Sequence, residues 1–488
     1  MEQENAWKGY TPEQLEELEQ LCAGYIGFIS DNKTEREIAK AAIELAEQAG
    51  YIPLEDAIRQ GRALEAGDKV WAHTHGKAVM FVQLGEEPIE YGLNILGAHI
   101  DSPRLDVKQN PLYEANDFAL LDTHYYGGIK KYQWTTLPLA IHGVIARTDG
   151  TVVDVRVGED ETDPVFCVTD LLPHLGQEQM KKTGAKLVEG EALDVLVGGR
   201  PLVVETPDES AEDAVDAGAE NDAPSDKTPW EKLAAKEPVK AQLLKILAEK
   251  YDVEEEDFLS AELEVVPAGR ARELGFDRSM VLGYGQDDSV CAFPSLLAQL
   301  DIPAPRRTAV TLLVDKEEIG SVGATGMESL FFENTMAEIM ELAGEGGQVK
   351  LRRALANSKM LSSDVSAGFD PLYASVFEAK NSAYLGRGLV FNKYTGARGK
   401  SGSNDASAEY VAEVRRIMDE AGVAYHTAEL GKVDIGGGGT IAYIPAKYDM
   451  DVIDSGVAVL SMHAPWEVTS KADIYEAYRG YKAFLLNA

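Results

Sequence analysis

Residues 308–321 read TAVTLLVDKEEIGS. The β-branched and leucine-rich run from Ala309 to Val314 has the composition of a buried strand, and it stops at Asp315, Lys316, Glu317 and Glu318 ahead of Gly320. Two adjacent carboxylates therefore stand where a strand ends. Neighbouring acids repel, so the pair is costly at neutral pH unless one coordinates a cation and the other keeps a proton-transfer role. A solvated turn that carries two glutamates is the plainer reading of the pair taken alone. The rest of the chain turns the reading toward chemistry.

Four other apolar runs end in the same way. LNILGAHIDSP ends at His99 and Asp101, SMVLGYG reaches Asp287 and Asp288, KMLSS leads into Asp364, and GVAVLSM leads into His463. In the second half these runs alternate with helical stretches, which predicts an α/β fold with a mixed sheet flanked by helices. Ligands of open α/β sheets collect outside the carboxyl ends of the strands. Two imidazoles and three carboxylates, His99, Asp287, Glu318, Asp364 and His463, suit a borderline divalent metal such as zinc. Five ligands exceed the needs of one tetrahedral site, so two metals bridged by a shared carboxylate and a water are expected. Asp101, two residues beyond His99 on an extended chain, could hold the imidazole in its ligating tautomer. Asp288 is read as shaping the turn and is not assigned to the metals.

Upstream, Thr11-Pro12-Glu13-Gln14 and Thr34-Glu35-Arg36-Glu37 fit capping boxes that open two helices, the second stopping at Gly50. KVWAHTHGKAVMFVQL reads as a hairpin. From about Val107 to Glu264 short alternating segments such as TVVDVRVG predict a separate, largely β lobe inserted between residues 1–106 and 265–488. Within it, residues 205–230 hold nine acids against one lysine and almost no large apolar residue, the composition of a mobile surface loop.

With 488 residues and 45% hydrophobic content the chain is long enough for a large α/β core with an inserted lobe. A formal charge of −36 argues against nucleic acid or an anionic membrane as a partner. The N-terminus is polar and acidic and no apolar run reaches membrane-spanning length, so a soluble cytoplasmic protein is expected. Cys22, Cys167 and Cys291 are scattered and lack CxxC spacing, which argues against a disulfide framework or a thiolate zinc site.

The segments GAHIDSPRLDVK (97–108), GQDDSVCAF (285–293), VDKEEIGS (314–321), SSDVSAGFDP (362–371) and SMHAPWE (461–467) closely resemble the M18 family of metallo-aminopeptidases, best known for aspartyl aminopeptidases. The resemblance implies a zinc exopeptidase-like fold that removes single N-terminal residues from peptides. It implies that His99, Asp287, Glu318, Asp364 and His463 bind two zinc ions, or Co2+ or Mn2+, with Asp287 bridging. Glu317 is then the general base and Asp101 the partner of His99. The β lobe becomes an assembly domain, and the protein a homo-oligomer, a tetrahedral dodecamer built from dimers. His142, in TTLPLAIHGVI, resembles a family histidine that reaches the neighbouring subunit's active site.

The segment IKKYQWTTLPLAIHG lacks the Trp-Asp-Arg-Asp motif of the aspartyl branch and looks closer to the bacterial one. Lys393, in FNKYT, resembles the family's substrate-binding lysine region and is the candidate reader of an acidic N-terminal side chain. Gly438, in the run Gly436 to Gly439, lacks a nucleotide-binding pattern and by resemblance belongs to the wall of the substrate pocket. His73 and His75 read as exposed hairpin histidines. The alternatives are another dinuclear amidohydrolase, such as a carboxypeptidase or deacylase, and an inactive assembly protein with the same fold.

Overall fold

The computed structural model describes residues 4–204 and 228–488. The chain forms two compact units. The first comprises residues 1–103, 126–129 and 269–488, and the second residues 104–125 and 130–268. Most of the 205–230 acidic segment lies outside the described residues. Its last three residues are ordered as a helix start, with Thr228 capping a helix that begins at Pro229.

The first unit is built on a nine-stranded mixed sheet. In chain order its strands are β1 (Ile52–Pro53), β2 (Lys69–Thr74), β3 (Ala78–Gln83), β4 (Leu93–His99), β5 (Thr308–Val314), β6 (Lys359–Ser363), β7 (Leu389–Asn392), β8 (Tyr425–Thr427) and β9 (Asp451–Gly456). Their spatial order is β1-β2-β3-β5-β4-β6-β9-β7-β8. The hairpin predicted around residue 75 is the antiparallel β2–β3 pair, closed at Thr74 and Ala78. The central strands β5, β4, β6 and β9 are mutually parallel.

Register fixes the level at which these strands end. Val314 pairs with His99, Ser362 with Gly97, and Ser363 with Ser455. His99, the start of the KEEIGS turn and Asp364 therefore emerge along one edge of the sheet.

Alternation along each strand sends side chains to both faces. Val79 and Phe81, with Leu96 and Ala98, pack into a core shared with helices α1 (Pro12–Asp31), α3 (Gln286–Asp301) and α4 (Lys471–Asn487). Met80 and Val82, with Leu93 and Ile95, face the opposite core, beneath Phe332 and Met336. The result is a three-layer α/β/α arrangement whose central strands are buried at every position.

Both predicted capping boxes form. Thr11 accepts from the Gln14 amide at the start of α1, and Thr34 accepts from the Glu37 amide at the start of α2 (Glu35–Gln48). α2 ends two residues short of Gly50, whose φ of +89° belongs to the turn beyond.

One expectation needs correction. Asp287 and His463 do not follow strands of the main sheet. They follow Met280–Gly283 and Ala458–Leu460, which belong to a separate five-stranded sheet. Runs of four and three residues carry too little pattern to tell which sheet they join.

The second unit is a six-stranded sheet in the order Val152–Val157, Leu139–Ala146, Ala261–Pro267, Arg104–Ala115, Phe118–Tyr126, Val195–Gly198. The strand Leu139–Ala146 pairs antiparallel with both of its neighbours, and the helix Pro238–Tyr251 belongs to the same unit. Among the described residues no helix is long and apolar enough to cross a membrane.

Candidate active site

β4 delivers His99 into the interior, where it is almost fully buried. Its Nδ1 lies 3.0 Å from the Asp101 carbonyl oxygen, which leaves Nε2 as the outward-facing ligand atom, 3.1 Å from Asp287 Oδ1. Asp101 does more than hold this ring. Its carboxylate accepts the Glu317 amide at 3.1 Å, the Glu318 amide at 3.2 Å and the Tyr126 hydroxyl at 2.8 Å. One buried carboxylate thus ties the end of β4 to the two adjacent glutamates that follow β5.

His463 is held in the same manner. Its Nδ1 lies 3.1 Å from the Gly128 carbonyl, and Nε2 faces Asp287 Oδ2 at 3.2 Å. Glycine lets the Gly127–Gly128 turn come this close. A Cβ on Gly127, whose φ is +76°, would stand 3.1 Å from Glu318 Oε2, and one on Gly128 would stand 3.2 Å from His463 Nδ1. Glu467 braces the remaining side. Its carboxylate accepts the Asp287 amide at 3.0 Å and the His463 amide at 2.8 Å. Asp288 accepts the His99 amide at 3.3 Å and is not among the candidate metal donors.

The side chains fall into two groups, His99–Asp287–Asp364 and Asp287–Glu318–His463, whose candidate donor atoms lie within 4.8 Å of one another. Asp287 belongs to both. Glu317 stands beside them without belonging to either group.

Burial raises the Asp287 carboxyl, but the bonds from His463 and His99 together pull it well below the usual carboxylate range. Burial, followed by the charge of Asp287, pushes Glu318 up. Burial, followed by Glu317, pushes Asp364 up. Burial also lifts Glu317 to about 7. Glu318 Oε1 is buried without a hydrogen-bond partner, with His463 Nε2 3.6 Å away. Imidazole and carboxylate donors crowded at this spacing, with an orphaned buried oxygen among them, fit divalent cations.

A cavity of about 520 Å³ opens onto these groups. Gly438 lines it, as do Asn392, Thr395 and Asp454. The Gly438 amide donates to the Thr395 carbonyl at 3.1 Å. Thr440 donates to Asp454 at 2.5 Å, and burial pushes the Asp454 carboxyl up to about 7. No lysine or arginine is among the lining residues. Lys393 stands outside them, with its ammonium on Asp405. His142 belongs to the second unit, where its ring is buried and Nε2 lies 3.1 Å from Glu159 Oε1. His73 and His75 lie at the β2–β3 turn, where His73 Nδ1 accepts the Gly76 amide.

Sequence reasoning missed Glu467, Gly128, Asn392, Thr395 and Asp454. Glu467 lay inside a quoted motif, and its position next to a polar strand end was the available signal. Asn392 and Thr395 lay inside FNKYT, where attention went to Lys393 between them. Gly128 and Asp454 carry no local pattern.

The family described as aminopeptidase I zinc metalloprotease (M18) matches residues 28–485. A probable M18 family aminopeptidase 1 of Clostridium acetobutylicum is 57% identical over 486 residues, spanning 100% of this chain and 98% of the relative. The crystal structure of an M18 family aminopeptidase from Thermotoga maritima has a TM-score of 0.89 at 41% identity, with 100% of both chains covered. A more distant structure, the S. cerevisiae mApe1 dodecamer, shares the fold at 19% identity with a TM-score of 0.72 and 95% of each chain covered.

Proposed function

The chain belongs to the M18 family of zinc metalloproteases and is an aminopeptidase, and from that premise we propose that its site uses two divalent cations, zinc foremost, to release single N-terminal residues from peptides. The observation that carries the two-ion reading is the sharing of Asp287 between two three-residue donor groups. In this reading His99 and Asp364 would hold one cation and Glu318 and His463 the other, with Asp287 available to both. Co2+ and Mn2+ suit the same donors. Family membership displaces the carboxypeptidase, deacylase and inactive-protein alternatives.

Bound cations would polarise the scissile carbonyl, acidify the attacking water and hold the substrate's free amine. Glu317 takes the proton of that water and passes it to the leaving nitrogen, a role suited to a carboxylate that lines the cavity beside both donor groups and belongs to neither. Asp101 and the Gly128 carbonyl fix the two imidazoles, each with Nε2 directed toward the shared Asp287. Asp101 also anchors the amides of Glu317 and Glu318, so the base and its ligating neighbour keep a fixed spacing. The cavity beside Gly438 receives the side chain of the N-terminal residue. An acidic preference read by Lys393 requires its ammonium to leave Asp405.

The second unit acts as the assembly domain of a cytoplasmic homo-oligomer, a tetrahedral dodecamer built from dimers, in which His142 serves a neighbouring site. The dodecameric yeast structure supports this assembly by likeness of fold.

The test compares a peptide carrying a free N-terminus with its N-acetylated twin, both with added zinc. Release of the first residue from the free peptide alone is expected. Equal hydrolysis of the acetylated peptide would remove the amine requirement and with it the exopeptidase mechanism.

A further inference from the structure

The wall of the catalytic cavity continues outward into an apolar surface that the N-terminal residue of a substrate does not need. Leu430 and Gly437, both cavity-lining, are the stems of a tight loop. The Gly436 amide donates to the Lys432 carbonyl at 2.8 Å, and a Cβ on Gly436 would lie 1.8 Å from the Leu430 carbonyl oxygen, so the loop closes on its own base. Its tip presents Val433, 79% exposed, and Ile435, 64% exposed.

A second loop lies against it. The Lys432 amide donates to the Val376 carbonyl at 3.1 Å, and Lys432 Nζ donates to the Ser375 carbonyl at 2.7 Å. This neighbour exposes Leu372, at 84%, together with Tyr373 and Val376. Five large apolar side chains are thus displayed on two loops that are hydrogen-bonded to each other, the first of them rooted in the cavity wall. Single exposed apolar residues need no explanation, but a cluster contiguous with a binding cavity marks an interaction surface.

Resting on the aminopeptidase reading, the geometry points to the occupant: the residues that follow the scissile bond of an extended peptide, with apolar side chains among the first two or three. When the first residue fills the cavity, the rest of the chain has to leave past the cavity wall. The Leu430 and Gly437 stems form part of that wall, so the chain can run onto Val433, Ile435 and Leu372. The double variant Val433→Asp/Leu372→Asp would place charge on each loop without disturbing a buried group.

The experiment uses the full-length metal-loaded enzyme and two peptides with the same favoured first residue, one continuing Leu-Val-Leu and the other Ser-Asp-Ser. Wild type is expected to favour the apolar tail in kcat/KM by about tenfold or more, on the scale set by apolar side-chain recognition. The double variant should bring that ratio close to one. The ratio is read on a single preparation, so partial misfolding, which lowers both rates alike, leaves it unmoved. A wild-type ratio near one, or an unchanged ratio in the variant, overturns the inference. So does a changed sedimentation coefficient with an intact ratio, which would assign the patch to a second copy of the chain. A wild-type aminoacyl p-nitroanilide assay, which has no residues beyond the bond, separates the two levels: activity there with no tail effect sinks this inference alone, whereas no activity sinks the aminopeptidase mechanism itself.

Discussion

Asp101→Asn changes one atom at the point where β4, the glutamate turn and the Gly127–Gly128 turn converge. In the native protein Oδ1 accepts the Glu317 amide at 3.1 Å and stands 3.3 Å from His99 Nδ1, while Oδ2 accepts the Glu318 amide at 3.2 Å and the Tyr126 hydroxyl at 2.8 Å. Asparagine can accept at only one of the two positions. Whichever way its amide turns, an NH2 group faces a backbone N–H that cannot reverse its role, and the site also loses the carboxylate charge. Tyr126 can rotate to accept, so the minimum loss is one charge-assisted bond, about 1.5–3 kcal/mol. That loss is about a tenfold to hundredfold effect, the range found when groups supporting metal ligands are altered. The assay pairs chelator competition, which reads metal affinity, with kcat/KM on an aminoacyl substrate at saturating zinc. Both should fall, and affinity should stay low when the variant is refolded with excess metal. An Asp101→Asn enzyme within twofold of wild type in both readouts would refute the reasoning that this carboxylate positions the ligands.

Glu317→Gln should retain its metal and lose turnover by about 10²–10⁴-fold, the contribution of a positioned general base, whereas Glu318→Ala should lose metal; metal analysis beside kcat separates the two. Burial holds the His426 ring neutral, with its pKa lowered to about 4 and Nε2 accepting the Tyr384 amide at 3.0 Å. Because the folded value lies below the ordinary value of about 6.5, the contribution is complete above pH ~6.5 and is lost as pH falls toward 4, by up to about 3 kcal/mol. Denaturant midpoints of the metal-free protein should therefore drop more steeply over that window than those of His426→Gln, and parallel profiles would remove His426 as the cause. Mixed oligomers of His142→Phe and Glu317→Gln subunits, each impaired alone, should regain part of the activity if His142 serves a neighbour. Verified mixed oligomers without recovery would return His142 to its own subunit.

Much of the site could be read from the chain because parallel strands that end at one level in space also end in recognisable sequence. Apolar runs stop at His99, at the glutamates after Val314 and at Asp364, and the register of β4, β5 and β6 brings those ends together. The capping boxes were legible for a similar reason, since all the interacting groups lie within four residues. Features assembled from distant segments were not. Nothing in the sequence around Gly128 points to His463, yet Gly128 orients that ring from 335 positions away. Glu467 reads as one more acid, until its bonds to the amides of Asp287 and His463 reveal a brace. Lys393 had the right charge for an acidic substrate, but its engagement with Asp405, twelve residues on, depends on a backbone path that spacing does not disclose.

The two-ion reading rests on Asp287 serving both donor groups, and a zinc titration tests it most directly. Metal-free enzyme receives increasing zinc, bound metal per chain is measured after removal of free ions, and hydrolysis of an aminoacyl substrate is followed in the same samples. The account predicts two zinc ions per chain, with activity complete only when the second is bound, and a loss of both sites together in Asp287→Ala. Full activity with one ion per chain, or an Asp287→Ala enzyme that still binds two, would contradict it.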